Sequence, residues 1–297
     1  MANLKDIQRK IKSVSGTQKT TRAMKLVSAA KLRRTEELAK RSKVYAAKLT
    51  MLLADITSKI QHYKIGGLDD HRVFAKNDSP EMVDIIFITA DKGLCGGFNI
   101  QTLKAVSSLL RTLKEDKVKV RLKGVGKKGV EYFKYNGVEL VTEEIGLSAK
   151  PDYKSAAEFI QSSIKDFSEG KTDRVMLLHN GYVNVITQEM KVDQLLPIDV
   201  SGMPHHDDEE ISLLDIEAKD ETKMLEDLVA RYVEYSMYYA LIDSLAAEHS
   251  ARMQAMDAAT NNAKELVKDL KVKFNKARQE SITTELIEII SGVESMK

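Results

Sequence analysis

From Thr17 to Ile65, and again from His205 to Ser291, the chain contains neither glycine nor proline, the two residues most costly inside a helix. Thirteen of its fifteen glycines fall between Gly66 and Gly202, and all four prolines (Pro80, Pro151, Pro197, Pro204) lie in the middle. This distribution predicts helix, compact domain, helix. The second breaker-free stretch carries a stripe with alternating steps of three and four: Leu225, Leu228, Tyr232, Tyr235, Tyr239, Ile242, Ala246, His249, Met253, Met256, Thr260, Ala263, Val267, Leu270, Phe274, Ala277, Ser281, Thr284. Fourteen of these eighteen are apolar, a pattern that marks a coiled-coil seam and not a short surface helix. At 1.5 Å per residue, a helix over residues 220–291 makes a rod on the order of 105 Å.

The first stretch begins the same way, with Leu4, Ile7, Ile11 and Val14. Its apolar pattern then breaks at Ser15-Gly16-Thr17-Gln18, so a loss of register is expected there, with resumption at Met24, Val27, Leu32, Leu49, Leu52, Leu53 and Ile56. It is the natural antiparallel partner of the longer helix, which must outrun it. The middle alternates β-rich runs (Val83–Thr89, Val118–Val125, Val138–Thr142, Arg174–His179) with helical patterns near Ile100–Glu115, Gly129–Tyr135 and Tyr153–Phe167. Such alternation predicts a small α/β domain with a mostly parallel, doubly wound, Rossmann-like sheet. The expected organisation is therefore a coiled-coil helix over 1–60, the α/β domain over 75–204, an acidic connector over 205–221 and a second coiled-coil helix over 222–297.

With 43% hydrophobic residues in 297, a substantial core is available. The apolar runs are too short to cross a bilayer, and the charged start MANLKDIQRK is unlike a secretory signal. The net charge of +2 hides an asymmetry: residues 1–59 hold 15 Lys/Arg against 4 Asp/Glu. A basic arm of this length implies an acidic partner surface. One cysteine, Cys95, excludes an intrachain disulfide and is too few for a structural zinc site.

Gly124-Val125-Gly126-Lys127-Lys128-Gly129 is a literal G-x-G-x-x-G after an expected strand, with Glu143 and Glu144 following it. An NAD-dependent enzyme is therefore one reading, although the glutamates come earlier than the usual spacing of roughly 20 residues. The other reading is a tight βα turn, and we expect the motif to be structural. Asp91-Lys92-Gly93-Leu94-Cys95-Gly96-Gly97-Phe98-Asn99 is a second glycine-rich turn and lacks the G-K-[ST] ending of a P-loop. His205-His206-Asp207-Asp208 has metal-binding atoms in a linker setting, and His249 sits on the heptad seam. The basic face of the first helix (Lys5, Arg9, Lys12, Lys19, Arg22, Lys31, Arg33, Arg34, Lys40, Arg41) keeps a nucleic-acid-binding coiled coil open. No Ser/His/Asp or paired-carboxylate spacing suggests catalysis.

Four segments together carry a family resemblance: DIQRKI at 6–11, TQKTTRAMKLV at 17–27, DKGLCGGFN at 91–99, and the close from Ser244 to Gly292, containing SLAAEHSARMQAMDAATNNA and FNKARQESITTELIEIISG. They resemble the gamma subunit of F-type ATP synthases, bacterial form, along the whole chain. The resemblance implies a non-catalytic central rotor shaft, without cofactor or metal. Its terminal helices would turn inside a ring of alpha and beta subunits, and its α/β domain would meet the c-ring and the epsilon subunit. By position, Arg278, Gln279 and Thr283 correspond to the family's bonds with a beta-subunit loop, and Arg252 to a second contact region. Met24 and Lys25 correspond to the contact with the acidic beta-subunit lever. A peripheral location on the cytoplasmic side of the inner membrane is expected, with no nucleic acid bound. The small residues Ala246, Ala247, Ala251, Ala255, Ala258, Ala259 and Ala263 would keep the shaft slim, and Leu286, Ile287, Ile289 and Ile290 would form an apolar bearing at its end.

Overall fold

A computed structural model describes residues 4–63, 72–75, 77, 79–199 and 221–296. The elements follow in the order α1 (Leu4–Tyr63), β1 (Met82–Ile88), α2 (Phe98–Glu115), β2 (Lys119–Val125), α3 (Lys127–Tyr135), β3 (Leu140–Glu144), α4 (Tyr153–Ser168), β4 (Arg174–Tyr182), β5 (Gln188–Leu196) and α5 (Glu221–Glu294). The two helices expected from the breaker-free stretches form, as does the α/β middle. The acidic connector falls, but for Glu221, outside the described residues, as do His205-His206-Asp207-Asp208. The chain divides into two compact units, residues 1–30 with 252–297 and residues 31–251.

In the first unit, α1 and α5 pair antiparallel. Between residues 261 and 291 of α5, every side chain is exposed except Ala263, Val267, Leu270, Phe274, Ala277 and Ser281, which follows the sequence stripe up to Ser281; its last member, Thr284, is exposed. On α1 the facing side chains include Leu4, Ile7, Ile11, Val14, Gln18, Thr21, Lys25 and Ser28. The expected loss of register at Ser15–Gln18 does not occur; only the apolar character lapses. Thr21 and Thr260 explain how the seam continues. Their hydroxyls lie 2.8 Å apart, and one donates to the other while the acceptor hydroxyl donates to its own helix, Thr21 to Gln18 O or Thr260 to Met256 O. Small side chains that satisfy their own polar atoms can therefore occupy a seam. Val27, expected on the seam, is exposed, as is its neighbour Leu26.

In the second unit the inward side chains of α1 include Leu32, Thr35, Ser42, Leu49 and Leu53, again at heptad steps. Leu52 is exposed, and the side chain of Ile56 lies outside the described residues. The sheet order is β3-β2-β1-β4-β5, parallel except for the antiparallel β4–β5 pair. A crossover on either side of β1 makes it doubly wound. One core packs Ile86, Ile88, Ile160, Leu177 and Leu196 with Leu225, Val229, Val233, Met237 and Leu241 of α5. A second packs Ile85, Phe87, Val106, Leu122 and Phe133 on the opposite side of the sheet. From Ala240 to Ala251, α5 is buried all round, which its alanines and serines permit by letting neighbours approach closely.

Two charged clusters sit within this apolar frame. Asp84, which interrupts the apolar run of β1, accepts from Arg121 Nε at 2.7 Å, Ser163 Oγ at 2.9 Å and Thr172 Oγ1 at 3.2 Å. Lys123, 1% exposed, meets Asp84 Oδ2 at 3.0 Å and donates to Ser162 and Ser163. The ammonium's three protons thus have three acceptors, while Arg121 Nη2 is buried without a hydrogen-bond partner among the described residues; the cluster braces β1, β2 and α4 against one another.

The second cluster joins α5 to the β4–β5 hairpin. Asp243 accepts from Lys191 Nζ at 2.6 Å and from the Tyr182 amide at 3.1 Å, and its Oδ2 lies 3.4 Å from His179 Nε2. Burial works against the Asp243 carboxylate, but its bonds from His179 and Lys191 outweigh that and hold it below the usual 3.8. Burial also works against the Lys191 ammonium, and Asp243 outweighs it, holding it above 10.5. A lowered carboxylate contributes stability above its unfolded value and loses it as pH falls through the folded one. A raised ammonium contributes below its unfolded value and loses it as pH rises through the folded one. Lys191→Met is therefore expected to lower the melting temperature near neutral pH, and the gap to the parent chain should narrow as pH falls below 3.8. Thermal unfolding across acid pH checks this.

Candidate functional site

The G-x-G-x-x-G turn opens α3, where a dinucleotide pyrophosphate would need open backbone amides. Those amides are already committed. Gly126 N–H donates to Glu144 O at 2.9 Å, Lys127 N–H to Asp91 Oδ1 at 2.9 Å, Lys128 N–H to Ala90 O at 3.2 Å and Gly129 N–H to Thr89 Oγ1 at 3.0 Å. Glu143 is paired with Lys134 at 2.6 Å. The glycines serve the packing of α3 on β1. Gly126 has φ +99°, and a Cβ there would lie 1.9 Å from Thr89 O; one at Gly129 would lie 2.4 Å from the Phe87 ring. Gly126→Val is expected to destabilise the α/β domain by about 3 kcal/mol through backbone strain and overpacking. Chemical denaturation measures that loss, and an NADH titration of the parent chain is expected to show no binding.

In the turn DKGLCGGFN, Cys95 and Phe98 are buried while Lys92, Leu94, Gly96 and Gly97 are exposed. Cys95 is 2% exposed and packs with Ala90, Phe98, Ala247 and Ala251, with Tyr182 against them. Asn99 Nδ2 donates to its sulfur at 3.3 Å, and Asn99 Oδ1 accepts from the Ala90 amide at 2.9 Å. Buried apolar surroundings make the thiol a packing group. His249 is buried on α5. Among the described residues no cluster of three or more His, Cys, Asp or Glu is arranged to hold a metal, and no helix is long and apolar enough to cross a membrane.

The sequence-derived contact residues fall into three settings. Thr21 stands opposite Thr260, so in an antiparallel pair the seventeen residues back to Leu4 carry the partner seventeen forward to Ala277. Arg278, Gln279 and Thr283 thus lie past the point opposite Leu4, the first described residue of α1, and all three are exposed. The Thr283 hydroxyl donates to the Gln279 backbone carbonyl at 2.9 Å, and Gln279 itself is exposed. Beyond them Leu286, Ile287, Ile289 and Ile290 are exposed apolar residues. Lys25 is half-buried and bonds to Asp257 at 2.6 Å, with Met24 half-buried beside it. Arg252 is 8% exposed. Sequence reasoning has no signal for Asp257 as the partner of Lys25; only the antiparallel register brings them together. It also passes over Leu26 and assigns Val27 to the seam, whereas the adjacent apolar side chains of both face outward.

The committed amides of the G-x-G-x-x-G turn speak against a dinucleotide there, and the exposed far end of the helical pair fits a structural, partner-binding class of protein. The comparisons specify the kind. A family model described as ATP synthase matches residues 3–296. The chain is 65% identical to the ATP synthase gamma chain of Sulfurimonas denitrificans and 62% identical to that of Sulfurovum sp., each over 297 residues and all of both chains. The chain belongs to the ATP synthase gamma-chain family. Among solved structures, a central stalk and c-ring structure of the Tetrahymena thermophila mitochondrial ATP synthase matches with TM-score 0.61 at 22% identity, covering 81% of this chain and 99% of that one. A Euglena gracilis mitochondrial ATP synthase structure matches with TM-score 0.66 at 18% identity, covering 99% and 94%. These two show the fold.

Proposed function

We propose that the chain is the central rotor shaft of an ATP synthase. It couples ion-driven rotation of a membrane c-ring to conformational cycling of catalytic beta subunits, and carries out no bond chemistry itself. The observation that supports this best is full-length identity of 65% with a gamma chain, joined to a helix pair whose seam is narrow and whose far end is bare. A shaft must pass through a protein sleeve, and exposed apolar side chains at its tip suit a bearing because non-directional contacts permit turning. Its partners in this reading are the alpha and beta subunits, the epsilon subunit and the c-ring, with the chain peripheral to the inner membrane on its cytoplasmic side.

The contact roles belong to the same proposal. Arg278 and Gln279, with Thr283, meet a loop of one beta subunit, and Arg252 marks a second contact region. Met24 and Lys25 meet the acidic lever, and the excess of basic residues in α1 favours that approach. Affinity purification of the tagged chain from its native membranes tests the reading. Recovery of alpha, beta and epsilon subunits in a complex that hydrolyses ATP is expected, and recovery of the chain alone would count against it.

A further inference from the structure

A rotor needs a rigid joint between the helix that turns in the sleeve and the domain that receives torque. Apolar packing resists separation but is tolerant of sliding, because dispersion contacts are short-ranged and non-directional. Hydrogen bonds to a fixed carboxylate are directional and define one register. In the second unit α5 is packed mostly through apolar side chains, among them Leu225, Val229, Val233, Met237 and Leu241. Asp243 stands apart. Its side chain is 5% exposed, and the three groups bonded to it, Lys191 Nζ, His179 Nε2 and the Tyr182 amide, all come from the β4–β5 hairpin.

We infer that Asp243 is a positioning residue that pins α5 to the β4–β5 hairpin, fixing the joint through which torque passes between shaft and domain. The inference rests on the rotor reading. Three features support it. The two carboxylate oxygens are engaged from different directions, Oδ1 by a backbone amide and Oδ2 by the Lys191 and His179 side chains, so rotation of α5 about its axis breaks both. The hairpin is shaped to admit the ion pair: a Cβ on Gly181 would lie 2.4 Å from Lys191 Cε and 2.7 Å from Asp243 Oδ2. The same hairpin is tied to α5 a second time two turns on, where Ser250 Oγ donates to Val185 O at 2.7 Å and accepts from Gln188 Nε2 at 3.0 Å. Buried ion pairs add little net stability compared with apolar replacements, and their best-attested use is to specify register. That is the property a torque-bearing joint needs.

The test uses the complete synthase in inverted membrane vesicles, with ATP hydrolysis and the membrane potential it builds measured together. Asp243→Asn and, separately, Lys191→Met are expected to keep hydrolysis near the parent rate while the potential built per ATP hydrolysed falls several-fold. Lys191→Arg, which keeps the charge and donors, is expected to restore coupling. Lys191 is partly exposed, so its variants carry the test if Asp243→Asn fails to assemble. Parental coupling in Lys191→Met overturns the proposal, as does a parallel loss of hydrolysis and pumping, which would make the cluster merely structural. If the parent chain itself supports no ATP-driven potential, the rotor reading fails first, and this inference with it.

Discussion

Met256→Pro is expected to abolish coupled ATP synthesis or assembly of the complex. Met256 is buried on the α5 seam, and its carbonyl accepts the Thr260 hydroxyl. Proline there removes an amide donor and drives its ring against the carbonyl one turn back, at a cost of about 3 kcal/mol or more. It also kinks the helix next to Asp257, which holds Lys25, and Thr260, which holds Thr21. A kink in a shaft displaces everything beyond it, so the far end carrying Arg278 and Gln279 would no longer run true. ATP synthesis by reconstituted complex is the measurement; normal synthesis would be incompatible with a turning shaft.

Replacing Arg278 and Gln279 together by alanine is expected to leave the isolated chain folded and to lower ATP turnover of the assembled complex. Both side chains are exposed and lie past the point of α5 opposite Leu4, the first described residue of α1, and surface substitutions of this kind usually change stability by less than about 0.5 kcal/mol. An arginine presents a fork of donors suited to a carboxylate, and a primary amide supplies both donor and acceptor. A hydrogen bond to a charged group contributes about 1.5 to 3 kcal/mol, enough to bias one angular state without locking it. Hydrolysis at saturating ATP, beside circular dichroism of the isolated chain, separates the outcomes. Unchanged turnover would remove these residues from the mechanism and leave torque to steric contact along the shaft. Lost helicity would make them structural.

Much of this architecture is legible in the amino-acid sequence because two rules act strongly here. Proline is absent from the two long helices and each holds a single glycine, Gly16 in α1 and Gly292 in α5, and a seam repeats at heptad spacing, so α5 and its buried face read directly from Met256 to Ser281. The same rules misread α1. Its seam passes through Gln18, Thr21, Ser28, Thr35 and Ser42, and a reading based on apolar residues takes polarity for a lost register. The hydroxyls of Thr21 and Thr35 are satisfied on their own helix backbone, to Gln18 O and Lys31 O, which linear hydropathy cannot register. Strand β5 escapes such a reading for a related reason. It lies at the sheet edge, and Glu189, Val192, Asp193 and Gln194 are exposed, so it lacks the apolar run that marks β1. β3 forms at Leu140–Glu144, two residues later than its β-rich run suggests, where it pairs with β2 across an irregularity between Leu122 and Lys123.

The contact residues are legible only by resemblance, since an exposed arginine has no spacing signal of its own. The geometry adds what resemblance does not: where α1 stops opposite α5, and which residues the helix pair already occupies. Lys25 is the clearest instance. Its bond to Asp257 means that any lever contact at this position competes with an ion pair inside the shaft.

Rotation itself is the most direct test. With Cys95→Ser to remove the native thiol, Tyr135→Cys places a reactive group at a side chain 91% exposed on the α/β domain. A bead attached there, in a complex whose alpha and beta subunits are fixed to glass, is predicted to turn in one sense, stepwise, when ATP is supplied, and to stop when ATP is removed. Sustained ATP hydrolysis by labelled complexes whose beads do not turn would contradict the account.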